Sequence, residues 1–407
     1  MNVEYFISKR IVTAKENKNV FSRPIIRLTI SAIALSVAVM LISLSVLDGF
    51  QSEISEKIVS LGSHIQISSV QKSDSYTQTP LRITDSLTKT IHNNPEIISS
   101  EKVIHDFGLV KTKDDFLGIN LKGVSSSYTN MMMKSYIKEG VIASSDSSIL
   151  VSENIANKLK LSVSDKINVY FPSKNKDKIK VRPFWVSGIF STSMSEFDET
   201  LAFVNLEKLQ KIKGWKTDEV SVLEIKVNNF ESVNKTSEEL AISLPDFYNK
   251  RVSSIKELYP QIFDWLKLQD MNVLIIIILM LVVSVVNIIS SLLILILEKT
   301  KFIGILKSFG TTNWSIRKVF LYNSMYLVTK GLLWGNAIAF SLLFIQYKFQ
   351  IIKLDEATYY MSTIPVSFNF NDFIFLNIST LLVCLLMMIL PTIVITKISA
   401  VKAIRFQ

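Results

Sequence analysis

The sequence holds one cysteine, Cys384, in 407 residues. A disulfide within the chain is excluded, and so is a zinc site built on cysteines at any usual spacing. Three histidines, His64, His92 and His105, leave little material for an imidazole metal cluster. No metal or cofactor is expected. The pattern G-x-x-x-x-G-K-[ST] is missing, so ATP is not bound here through a P-loop. G-x-S-x-G, H-E-x-x-H and G-x-G-x-x-G are missing too. The nearest approach to a paired acid site is SEFDE, with Glu196, Asp198 and Glu199. Paired carboxylates can do acid–base work, but solvated loop carboxylates are far commoner. His64 and His105 sit in apolar–polar alternation and read as ordinary strand residues. The chain does not read as an enzyme.

Apolar residues are what the sequence has in excess: 48% of the chain, with a mean hydropathy of +0.33. Intrinsic disorder is excluded on that ground. Four runs are long enough to cross a bilayer, for which about 20 apolar residues suffice. They are 28–47, 271–297, 319–346 and 373–395. The first starts too late, runs too long and lacks the A-x-A site of a cleaved leader, so it reads as a retained anchor. Small residues (Ser31, Ala32, Ala34, Ser36, Ala38) line much of it, as in helices that pack closely in lipid. Lys330 lies about a dozen residues into the third run and reads as snorkelling to headgroups. Asp48 falls at the interface.

Charge sets the orientation. Across 1–27, 298–318 and 396–407, Lys and Arg outnumber Asp and Glu by 14 to 3. The insert 48–270 is balanced, with 28 basic and 29 acidic residues. By the positive-inside rule both termini and the 298–318 loop face the cytosol, and 48–270 and the short loop 347–372 face outward. The net charge of +10 reports topology, and no nucleic-acid partner is expected.

The insert mixes the two periodicities. Alternation in 64–68, 166–171, 180–190, 200–206 and 220–227 predicts strands; helical spacing appears in 81–93, 152–161 and 232–244. The reading is α+β. Residues 72–80 look like a loop and 173–182 like an exposed hairpin tip.

The connection EKTKFIGILKSFG (298–310) resembles the E-[RK]-x-[RK]-E-I-G-[IV]-L-[RK]-A-L-G segment of FtsX-like, MacB-type ABC transporter permeases. Ile303, Leu306 and Phe309 share a helix face there, ringed by Lys299, Lys301 and Lys307, and Gly310 can end the helix. Phe302 replaces the family's usual Glu. SVLDGF (45–50), GIFSTSMSEFDETLAF (188–203), YYMSTIPVSFNFNDF (359–373) and the tail 391–407 resemble elements of the LolC/LolE lipoprotein-releasing permeases.

That resemblance implies an integral membrane α-helical protein with four transmembrane helices and a large extracytoplasmic α+β domain of MacB periplasmic-core type, in a bacterial inner membrane. It further implies a separate LolD-like ATPase, a second permease protomer (self or paralogue), lipoprotein substrates and a periplasmic LolA-like carrier. ATPase coupling would fall on Glu298, Lys299, Lys301, Ile303, Gly304, Leu306, Lys307, Phe309 and Gly310. Acyl chains would meet Leu41, Leu44, Leu47 and Phe50 on the first span, and Phe263, Met271, Leu274 and Ile278 at the second. The linker 255–270 would transmit movement. Lys174, Lys176, Lys178 and Lys180 could steer an acidic carrier. A MacB-type exporter and an FtsX-like transmitter acting on a periplasmic partner are the alternatives.

Overall fold

The computed structural model describes residues 3–13, 22–70, 78–112, 115–142, 146–172, 180–244 and 247–398. They divide into two compact units. The membrane unit holds residues 1–52, 265–353 and 363–407; the outer unit holds 53–264 and 354–362.

Among the described residues, six helices longer than two turns build the first: α1 (Val3–Thr13), α2 (Ser22–Gly62), α3 (Pro260–Glu298), α4 (Thr300–Ser308), α5 (Asn313–Phe349) and α6 (Phe370–Met387). Among the described residues four helices are long and apolar enough to cross a membrane, the fourth running on to Lys397 through short turns around Pro391. At 1.5 Å per residue the 41 residues of α2 extend about 60 Å, roughly twice a bilayer's hydrocarbon core. Helix α2 therefore extends well beyond the apolar run 28–47.

Side-chain contacts give the helix directions. A Cβ at Gly331 would lie 2.5 Å from Ile33 Cγ2, and one at Gly335 2.7 Å from the Ala34 oxygen and 2.8 Å from Val37 Cβ. Ile33 pairs with Gly331 and Val37 with Gly335, so α2 and α5 run parallel. The two glycines form the small-x-x-x-small pattern that lets helices approach closely in lipid. Against α6 the order reverses: Asn336 Nδ2 donates to Asn377 Oδ1 at 2.8 Å, and the Phe340 and Phe373 rings lie 5.3 Å apart. Near the start of α5, Ser315 Oγ donates to Glu4 Oε1 at 3.2 Å and Tyr322 stacks edge-on with Tyr5 of α1. Lys307 of α4 reaches the Ile395 and Ile398 carbonyls at 2.8 and 2.6 Å. The basic segments thus gather at one end of this unit. Its core includes Ile33, Val37, Leu41, Leu292, Phe320, Leu376 and Met388.

The outer unit is built on ten strands: β1 (Ile65–Ser69), β2 (Ile97–Lys111), β3 (Phe116–Val124), β4 (Ile137–Gly140), β5 (Ser148–Ser152), β6 (Lys166–Phe171), β7 (Lys180–Phe190), β8 (Leu201–Asn205), β9 (Val222–Val227) and β10 (Lys250–Ser254). They pair in the order β10-β1-β9-β2-β3-β8-β5-β7-β4, with β6 joining β2 to β7. Pairing is antiparallel except for β3 with β8 and β5 with β7. Because β6 pairs with both β2 and β7, the six strands β2-β3-β8-β5-β7-β6 close on themselves and leave no free edge in that part. The 15-residue β2 serves twice, pairing with β9 through its first half and β3 through its second.

The alternation at 166–171 and 180–190 forms β6 and β7 over the expected residues. Helices at Asp85–His92, Glu153–Leu159 and Val233–Ser243 fill the three helical stretches, and Leu81–Arg82 instead pairs with Glu219–Val220. Thr84 and Ser152 cap the first two by accepting from the amides of Leu87 and Ile155. Most of the expected 72–80 loop lies outside the described residues.

Candidate functional site

The segments that carried the family resemblance fold onto one another within each unit. In the membrane unit Gly49 of SVLDGF lies where a Cβ would sit 2.7 Å from the Pro365 oxygen, and Ser367 N donates to Ser45 O at 3.0 Å. Only glycine fits so close to another backbone. In the outer unit Tyr360 donates its hydroxyl to Glu196 Oε1 at 2.7 Å, and Ser193 Oγ donates to Glu356 Oε2 at 3.1 Å. Lys57, from the outer end of α2, donates to the Tyr360 carbonyl at 2.7 Å. Burial, then the bond to Glu196, pushes the Tyr360 phenol up to about 12, so it remains a donor.

Asp198 has a scaffolding place in this arrangement. Its carboxylate is buried and accepts from Thr192 N at 2.9 Å and from Thr192 Oγ1 at 2.8 Å, which pins the turn after β7. Glu196 is engaged by Tyr360. Two of the three SEFDE carboxylates, Glu196 and Asp198, are thus engaged in holding loops.

On the basic end, α4 is amphipathic as its spacing predicts, and the expected coupling residues divide between its buried and exposed sides. Ile303 and Gly304 are buried, and Leu306 packs on the core. Lys307 is occupied by two carbonyls at the end of the last span, and Lys299 pairs with Glu298 at 3.1 Å. Those residues position the helix. Its exposed edge is Lys301, Ile305 and Phe309, spaced four apart, with Phe309 81% exposed. Gly310, at φ +79°, ends the helix in the left-handed conformation, and Thr311 N donates back to Leu306 O at 3.1 Å.

The acyl-chain residues divide. Met271, Leu274 and Ile278 are exposed on α3; Leu44, Leu47 and Phe50 are half-buried, Phe50 edge-on to Trp265 at 5.5 Å. Leu41 is packed inside the membrane unit, and Phe263 is buried against Phe230 in the outer unit, ring centroids 5.9 Å apart. Both are buried in this structure: helical phase turns Leu41 inward, and the Phe230 ring packs on Phe263. Lys174, Lys176 and Lys178 lie outside the described residues. Lys180 is not a free cation, since its ammonium donates to the Ile212 carbonyl at 3.0 Å.

Sequence reasoning missed a buried ion pair. Lys122 Nζ lies 2.7 Å from Glu224 Oε1, with both side chains at most 1% exposed. Tyr128 donates to Glu224 Oε2 at 2.8 Å, and Lys122 also donates to the Leu61 carbonyl in the last turn of α2. His105 Nε2 stands 3.9 Å from Glu224; burial, then Lys122, lowers it to about 4. His64 accepts from Val227 N at 3.1 Å through Nδ1, and burial, then Lys226, lowers it to about 4. No local signal singled out the pair, because Asn120 and Lys226 interrupt the same two strands.

Two family models match. The MacB-like periplasmic core domain covers residues 27–242, and the FtsX-like permease C-terminal domain covers residues 274–400. They define the class: a MacB-type permease. LolC, the lipoprotein-releasing system transmembrane protein of Xylella fastidiosa (strain Temecula1), is 24% identical, and the alignment covers 98% of each chain. LolE of Haemophilus influenzae is 23% identical, with 96% of each chain covered. The extracellular domain of the ABC-type transporter YknZ is a solved structural neighbour at TM-score 0.33 and 15% identity, covering 47% of this chain and 99% of that one. The chain belongs to the LolC/LolE family of MacB-type permeases.

Proposed function

We propose that this chain is the permease subunit of an ABC transporter that extracts lipoproteins from the bacterial inner membrane and passes them to a periplasmic LolA-like carrier. The observation that carries this reading is the end-to-end likeness to lipoprotein-releasing permeases, 98% of both chains for the Xylella protein. Two permease protomers would pair with two copies of a LolD-like ATPase, docked on the Lys301–Ile305–Phe309 edge of α4. The gathering of the basic segments at one end of the membrane unit supports cytosolic termini and an outward-facing 48–270. ATP-driven closure would push α4, and the spans would close on triacyl chains lying along Met271, Leu274 and Ile278. This is a mechanical coupling between separate sites, with no covalent step in this chain.

The test is lipoprotein release from spheroplasts depleted of the protein, with carrier added outside. Mature lipoproteins should stay in the inner membrane and return to solution on re-expression. A Gly304→Trp variant should fail, because a bulky group under α4 displaces the docking edge. Normal release alongside altered cell-wall hydrolysis would favour an FtsX-like transmitter instead.

A further inference from the structure

Lys330 has no role in the release mechanism and no carboxylate partner among the described residues, although it sits within an apolar span. A cation in such a place is costly and calls for an anion. Its neighbours show where one would lie. Tyr326, Lys330, Trp334 and Ile338 recur every fourth residue and so share one exposed face of α5, with Lys330 Nζ 5.8 Å from the Tyr326 ring centroid. Trp334 and Ile338 also line a cavity of about 670 Å³, whose α2 side is Arg27, Ile30, Ala34 and Leu35. Arg27, like Lys330, is exposed and has no carboxylate partner among the described residues.

We propose that this groove between α2 and α5 binds an anionic glycerophospholipid from the leaflet at the basic end of the unit. Its phosphate lies between Arg27 and Lys330, and one acyl chain runs over Trp334 to Ile338. Three features select that occupant. Two unpaired cations require a negative headgroup, and the walls beyond them are apolar. The wall is long enough as well. With Ile33 level with Gly331, Ile338 lies about 13 residues beyond Arg27 along the parallel pair, roughly 20 Å, which exceeds the hydrocarbon depth of one leaflet, about 15 Å. The site is separate from the α3 surface assigned to cargo, and it rests only on the reading that these helices span a bilayer.

The test uses full-length protein in mild detergent, titrated with dioleoyl phosphatidylglycerol or dioleoyl phosphatidylcholine and read by native mass spectrometry. Phosphatidylglycerol should bind preferentially. Arg27→Gln and Lys330→Gln should each weaken it about fivefold, the effect of one cation near an anionic lipid. Lys318→Gln, elsewhere at the basic end, should leave it unchanged. Equal binding of the two lipids, or equal loss with Lys318→Gln, overturns the site. So does an interchain disulfide formed by Leu35→Cys, which would make the groove a protomer interface. Release of the chain from membranes by alkaline carbonate would defeat the bilayer reading itself; retention without headgroup preference defeats only the lipid site.

Discussion

Helices α2 and α3 are alike in length, 41 and 39 residues, and opposite in surroundings. In the most apolar stretch of α2, 44% of residues are buried; in that of α3, 11%. Composition accounts for the difference. Gly331 and Gly335 of α5 let Ile33, Ala34 and Val37 of α2 approach closely, whereas the exposed face of α3 presents Leu274, Ile275, Ile278, Leu279 and Val282, and its buried serines, Ser284 and Ser291, lie nearer its far end. The outer end of α2 is fastened as well, by Lys122 at Leu61, by His64 just past its end and by Lys57 at Tyr360. One helix is a fixed wall. The other leaves most of its apolar surface exposed.

The largest effect should come from filling the closest approach of the α2 backbone to α5. Gly335→Leu places a side chain against the Ala34 backbone and should cost about 3 kcal/mol or more, read as a fall in melting temperature in detergent. Ile278→Ala on α3 should leave that temperature almost unchanged. Equal losses would erase the contrast between the helices. Next, Lys122→Met strands Glu224 without its cation and should cost about 3–5 kcal/mol, with faster amide exchange at the end of α2. Adding Glu224→Met should restore much of the loss, since two apolar groups replace a paired charge. A double variant as weak as the single one would mean that the pair matters for more than neutralising itself.

Acid should loosen the same place more gently. His64 falls from 6.5 when unfolded to about 4 when folded, so the unfolded chain binds the extra proton between those values. The stability this contributes is fully present above pH 6.5 and is lost as pH falls toward 4, to a limit on the order of 3 kcal/mol. Exchange at Val227, which donates to His64, should accelerate over that window, and His64→Asn should flatten the dependence. Exchange in the middle of α3 should not follow pH. Parallel acceleration there would show that His64 is not the titrating lock.

Much of this was legible in the sequence, for identifiable reasons. Apolar runs and strand alternation are local, so the four long helices and the strands at 166–171 and 180–190 could be read directly. What failed was phase and partnership. The spacing of Ile303, Leu306 and Phe309 shows a common face but not whether it meets the bundle or a partner, and Ile303 turned inward. Leu41 and Phe263 are apolar beside exposed apolar residues, and only the packing distinguishes them. Lys122 and Glu224 are 102 residues apart, a separation no local pattern spans. The GLLWG of α5 was a local signal, visible in the sequence and overlooked.

The smallest stability effect should fall on Tyr360. Removing its hydroxyl in Tyr360→Phe breaks the bond to Glu196 but leaves the ring and the carbonyl held by Lys57, so about 1 kcal/mol or less is at stake. Melting should barely shift. If this contact is part of the moving machinery, release in the spheroplast assay should fall several times more than a loss of that size could explain through folding. Glu196→Gln should behave similarly, because its amide oxygen still accepts but the charge on the bond is gone. A melting shift as large as that of Lys122→Met would assign Tyr360 to the scaffold. A silent variant in both assays would leave Lys57 as the contact that holds this loop to α2, sharpening rather than erasing the difference from α3.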